Sequence, residues 1–253
     1  MASKKLTEKK LKTLKEHREG RDGSSFIMSF LLNTSRVTKN IRTVSGGRSA
    51  EATNENKRHF VIGLVSCMET FFRDMFIYCL DARTDLLAAY LDELKPIDVE
   101  NMRASGIPLS EQLSAGVSFQ NLDSVEKGFR HFFPGNGGVL DRLNSLERVV
   151  SIPSRAEKGL ARVTLPQDSR EVLSDLLQLR HRLVHDANYN PDFAPQALAR
   201  YEAYVTLIAQ FFHFAVAESL TSHRIIVDQN GVPVMFLVED LIADDWEVVP
   251  DKN

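Results

Sequence analysis

The sequence predicts a mainly α-helical protein: a four-helix core, an inserted region of short helices and loops, and a small C-terminal β-hairpin. Three observations carry that expectation. Apolar residues recur three and four apart over residues 26–44, 51–82, 167–188 and 196–222, the period of a half-buried helix. Proline and glycine clusters cut residues 84–165 into short pieces. Two β-rich runs flank Asn230-Gly231, the strongest short hairpin signal a sequence offers. The 253 residues are 43% hydrophobic and 26% charged, with 13 Gly and 9 Pro. That apolar content is enough to offset the entropy of ordering the chain, and it excludes a mainly disordered or collagen-like protein.

Residues 1–25 form a basic N-terminal helix or arm. Lys4 to Glu19 carries Leu6, Leu11 and Leu14 among many charges, and this stretch reads as a weakly amphipathic helix. The helical domain spans 26–222. Its first helix, SFIMSFLLNTSRVTKNIRTV, stops at Ser45-Gly46-Gly47. Its second runs from Glu51 to about Ala82 with Val61, Val65, Met68, Phe72, Met75, Phe76 and Cys79 on one stripe. The insertion, 84–165, holds short helical patterns such as DLLAAYLDELK and SVEKGFRHFF, separated by Pro96, Gly106-Ile107-Pro108 and Pro134-Gly135-Asn136-Gly137-Gly138; it is read as lacking a strong core of its own. The third long helix starts at Gln167-Asp168-Ser169 and ends near Asn188. The fourth, about Gln196 to Ser222, turns Tyr204, Leu207, Ile208, Phe211, Phe212, Ala215 and Val216 inward. Residues 223–253 form the hairpin, a short strand at Trp246 to Val249 and an acidic tail.

Charge and cysteine usage narrow the classes of function. A net charge of -3 denies the whole molecule a strongly attractive field for nucleic acid, so any RNA contact must be a local patch. Cys67 and Cys79 sit in apolar surroundings with no metal-ligand spacing, which points to a reduced, cytoplasmic compartment. No segment has the apolar core of a signal peptide or the length of a membrane span, so no membrane partner is expected.

The third long helix carries the chemistry. At 100° per residue, Leu179, Val172, Leu183, Leu176, Ala187, Leu173, Val184 and Leu177 form one apolar arc, and Arg180 projects from its middle. A guanidinium stays charged, so an Arg among Leu and Val is aimed at an acid, a phosphate or a partner. His181 and His185 lie four apart on one face. A metal site would need a third ligand, and no His-Glu-x-x-His pattern is present, so no metal is expected. Glu69 flanks the second helix's stripe with Arg73 four residues on; it is either paired with Arg73 or supports Arg180 and His181. His213 reads as a core or interface histidine and His131 as structural; the loop PGNGG lacks the Lys-Ser/Thr of a phosphate loop and reads as a turn.

The string Arg180-His181-Arg182-Leu183-Val184-His185 resembles the HEPN superfamily (higher eukaryotes and prokaryotes nucleotide-binding), marked by Arg-x4-6-His on a late helix of a four-helix bundle. The helix VIGLVSCMETFFRDMF is similar to the early helix of that family, with Glu69 at its acidic position. Among subfamilies the chain most resembles the RiboL-PSP-HEPN-like group. The resemblance implies a metal-independent endoribonuclease without cofactor, a toxin or antiviral effector cutting tRNA or another RNA to a 2′,3′-cyclic phosphate. His185 would move the proton of the ribose 2′-OH or of the leaving 5′-oxygen, and Arg180, with Arg182, would stabilise charge on the phosphate. His181 would orient the phosphate or the imidazole, with Glu69 in support.

Five residues along an ideal helix is about 500°, so Arg180 and His185 point about 140° apart. Distortion of the helix or a second copy of it must close that gap, and the resemblance implies a homodimer with a composite site. Ala187 stands where related toxins carry the Tyr that their antitoxin modifies, with Tyr189 two residues further on. That lowers the expectation of this mode of control, but an antitoxin or another regulatory protein stays open as a partner. Two other classes stay open: a catalytically silent module of the same shape that binds RNA, nucleotide or protein, and a metal-dependent enzyme using His181 and His185.

Overall fold

The computed structural model describes residues 13, 16, 23–44, 50–133, 138–153, 160–186, 189, 191, 193–236 and 247–249. The expected N-terminal helix falls outside them except for Thr13 and Glu16, both in helical backbone. The Ser45–Gly47 stop, Pro134–Gly137, Ala187, Asn188, Trp246 and nearly all of the acidic tail also lie outside the described residues. Among the described residues no helix is long and apolar enough to cross a membrane.

Four long helices make the core: α1 (Gly23–Val44), α2 (Ala50–Ala82), α8 (Ser169–His185) and α9 (Pro195–Ser219). Helix α2 packs against α1 and α8, and α9 packs against all three. The approach of α1 to α2 is close at Gly63, where a Cβ would stand 3.2 Å from both methyl groups of Val37. Helix α9 differs from the sequence expectation. Every residue from Glu202 to Val216 is buried, not just an inner stripe, so this helix runs through the centre of the molecule. Phe212 is fully buried and meets Phe72 of α2 at 5.3 Å and Phe129 and Phe133 of the insertion at 4.7 and 5.6 Å, between ring centroids. Burial pushes the thiol of Cys79 well above its ordinary range, and that of Cys67 upward, in line with inert core cysteines.

The insertion does contain short helices: α3 (Thr84–Asp92), α4 (Pro96–Ala104), α5 (Leu109–Gly116), α6 (Leu122–Phe129) and α7 (Val139–Asn144). It also holds two strands that the sequence reading left out, β1 (Glu147–Ser151) and β2 (Leu160–Thr164), paired antiparallel from Glu147–Thr164 to Ser151–Leu160. Their alternation is short, and Val150, Ala161 and Val163 face inward against the helical core. Strand β3 (Glu247–Val249) joins β2 as the third strand in the order β1-β2-β3. The chain's end therefore returns to the insertion rather than extending the hairpin. Phe119, Val125, Phe129, Leu140, Leu143 and Val163 belong to the same buried cluster as α2 and α9. The insertion thus forms one wall of a shared core.

The expected hairpin is present as a tight turn with one antiparallel bridge, Val227 to Pro233. Gly231 has φ +78°, a backbone region open to glycine, and the Asp228 carboxylate accepts from the backbone N–H of Asn230 and Val232. These bonds hold the Asp228 carboxyl below its ordinary pKa. Its second arm bridges Ser151 of β1 in parallel.

Candidate functional site

Helix α8 begins and ends for different reasons than the sequence suggests. Asp168 stands at its N-cap, yet its carboxylate makes no cap; it accepts from the Tyr204 hydroxyl at 2.6 Å and pairs with Arg200, both on α9. Those partners hold its carboxyl below the ordinary range. The helix stops at His185, a turn earlier than expected. There Arg58 of α2 donates to the carbonyl of Leu183 at 3.1 Å, one of the groups that a helix C-terminus leaves open, and to that of Tyr189 beyond the helix. Lys57 holds the Phe193 carbonyl at 2.8 Å, so α2 fixes the segment that follows the motif.

On α8 the residues Ser174, Gln178, His181 and His185 follow one another four, three and four apart, which makes one polar stripe along the helix. This stripe is one wall of an open groove of about 630 Å³. The opposite wall is the loop between α5 and α6, with Ser118, Gln120 and Asn121, and Asp123 in the first turn of α6. That loop is fixed at both ends. Phe119 is fully buried against Phe76 and Phe129, and Asn121 caps α6 by accepting from the Ser124 N–H at 2.8 Å. Gln120 stands exposed between them.

All four motif side chains line the groove. The imidazoles of His181 and His185 are exposed and 4.5 Å apart between centroids. Arg182 is exposed too and lies over the Tyr189 ring at 5.8 Å. Arg180 differs: its side chain is only 13% exposed and reaches α2, where a terminal nitrogen pairs with Glu69 Oε1 at 3.4 Å. The other terminal nitrogen donates to the Gln120 amide oxygen at 3.3 Å, and the Gln120 amide nitrogen donates to Glu69 Oε2 at 3.5 Å. Glu69, Gln120 and Arg180 therefore close a ring of three polar groups at the groove's inner border.

Of the two sequence readings for Glu69, the contact with Arg180 is the one found; Arg73 acts on the carboxylate only through its charge. Val184, placed in the buried arc from sequence, is 46% exposed instead, because α8 ends beside it. His213 is buried and bonded to His223 at 2.8 Å, and His131 meets Glu93 at 2.7 Å and packs on Tyr90. No group of three or more His, Cys, Asp or Glu suited to a metal occurs among the described residues. Sequence reasoning missed Gln120, Asn121, Ser174, Gln178 and Arg58. The spacing of Ser174 and Gln178 ahead of the two histidines was a usable signal; nothing near Gln120 was.

Burial raises the Glu69 carboxyl above its ordinary value, although Arg180, the Gln120 bond and Arg73 all pull it down. The folded protein thus binds the Glu69 proton more tightly than the unfolded chain does. The stability this gives is complete below the unfolded carboxyl range and is lost as pH rises through the raised value. Unfolding free energies measured against pH should fall more steeply across that window for the unsubstituted protein than for Glu69→Gln. Parallel curves would mean the carboxylate is solvated.

Comparison with protein-family models, curated proteins and solved structures finds no match to this chain.

Proposed function

We propose that the protein is a metal-independent endoribonuclease of HEPN type, with the groove between α8 and the α5–α6 loop as its RNA site. The observation that carries the reading is the convergence of Arg180, His181, Arg182 and His185 on one groove. An imidazole at the groove can take the 2′-OH proton or return one to the leaving 5′-oxygen. A guanidinium held against a carboxylate keeps its orientation and offers charge to the phosphate as the 2′-oxygen attacks. In this reading His185 is the proton carrier, Arg180 the phosphate-stabilising group, and His181 and Arg182 orient the phosphate. Glu69 holds Arg180 in place.

The catalytic unit we propose is a homodimer. Arg180 and His185 of one chain border the same groove, yet the first lies inside against α2 and the second outside at the helix end. A twin α8 across a two-fold axis would bring a second imidazole toward each guanidinium and would cover Val184, the uncovered end of the apolar arc. The biological role is that of a toxin or antiviral effector in the cytoplasm, with tRNA or another RNA as substrate and a regulatory protein as partner.

The test is to incubate the purified protein with RNA in excess chelator and to determine its mass by sedimentation. Cleavage that persists, from a dimer, supports the reading. Binding without cleavage identifies a silent module, activity lost with the chelator a metal enzyme, and a monomer removes the composite centre.

A further inference from the structure

We propose that Gln120 is a positioning residue that occupies the edge of Arg180 to which an RNA phosphate binds, and that it gives way to that phosphate. The inference rests on the reading of the groove as an RNA site. Both terminal nitrogens of Arg180 are engaged, one with Glu69 at 3.4 Å and one with Gln120 at 3.3 Å. Arg180 Nε is buried without a hydrogen-bond partner among the described residues, so the terminal nitrogens are the edge a ligand can reach, and a phosphate oxygen that takes the acceptor position of the Gln120 amide oxygen displaces Gln120 and leaves the Glu69 contact in place. Glu69 is charged, 13% exposed and set in the middle of α2. Gln120 is neutral, exposed and on a loop, and its bonds of 3.3 and 3.5 Å are at the long limit for hydrogen bonds.

The amide is also the right chemistry for a placeholder. It carries a donor and an acceptor, so it serves a carboxylate with one end and a guanidinium with the other, which no charged side chain does. A phosphate oxygen in place of the amide oxygen turns a neutral acceptor into a charged one, a bond roughly twice as strong. Phe119 and Leu122, both buried, hold the backbone on either side. The exchange therefore needs only the Gln120 side chain to swing, with no movement of the loop.

The competition is measurable with a fully 2′-O-methylated hexaribonucleotide, which keeps its phosphates but has no nucleophile, by fluorescence anisotropy at fixed salt. Gln120→Met, which fills the same space without an acceptor, and Gln120→Asn, too short to reach Arg180, should each bind it about two- to tenfold more tightly than the unsubstituted protein, the value of one neutral hydrogen bond. A side chain that merely braces the site would give weaker binding in both. If the unsubstituted protein cleaves RNA while both variants bind the oligonucleotide equally well or more weakly, the placeholder role alone is overturned. If the unsubstituted protein neither cleaves RNA nor binds this oligonucleotide, the reading of the groove falls and takes the inference with it.

Discussion

His185→Ala should lower the RNA cleavage rate by about 10²- to 10⁴-fold, the usual contribution of a positioned general acid or base. The loss should fall on the chemical step. His185 is exposed on the last turn of α8, with its ring beside that of His181. Its removal therefore leaves unfolding unchanged within about 0.5 kcal/mol, as for ordinary surface substitutions. Single-turnover cleavage together with urea unfolding checks both halves. A variant that cuts at the unsubstituted rate would take His185 out of the mechanism. Arg180 is a less clean target than its sequence position suggests. Set in an apolar arc, it reads as a charge removable without harm to the fold. Its pairing with Glu69 means that Arg180→Ala leaves a mostly buried carboxylate without its counter-ion, so lost activity and lost stability arrive together.

Phe212→Ala should destabilise the fold by about 3–5 kcal/mol, the range for removing a buried aromatic ring. The reason lies in what the ring joins. It lies edge-on to Phe71 and Phe72 of α2 and to Phe133 of the insertion and packs on Phe129 of α6, so one side chain of the central helix holds two long helices and the insertion together. The cavity left behind is closed in by these rings on several sides and cannot readily collapse. Urea unfolding should show one transition moved to a lower midpoint with its slope kept, since the insertion and the four long helices share one core. A loss below about 1 kcal/mol would mean that the rings around Phe212 do not form one packed unit.

The long helices were legible because each has an apolar period that no loop can imitate; the limits of α2 came within a residue of the structure. Helix ends were less so. At the end of α8 the Leu183 carbonyl is met by Arg58, 125 positions away in sequence and invisible to any local pattern. Strands β1 and β2 went unread because five-residue strands with one or two buried positions give little alternation, and their partners lie across the insertion and at the chain's end. Half of the site was legible for the same reason the helices were: Arg180, His181, Arg182 and His185 lie on a single helix. The other half was not. Gln120 enters the groove because Phe119 and Asn121 anchor its loop, and a glutamine in a loop carries no mark of the long-range contact it makes with Glu69 and Arg180. Glu69 stood between two readings until packing placed α2 against α8, which decided for Arg180 over Arg73.

The central claim is that a ribose 2′-oxygen attacks its own phosphate in this groove without a metal ion. The most direct measurement is the mass of the 5′ fragments produced from a defined RNA in excess chelator. The account predicts fragments ending in a 2′,3′-cyclic phosphate, with no cutting at a step whose 2′-OH is replaced by hydrogen. Fragments ending in a free 3′-hydroxyl, or cutting at the deoxy step, would contradict it.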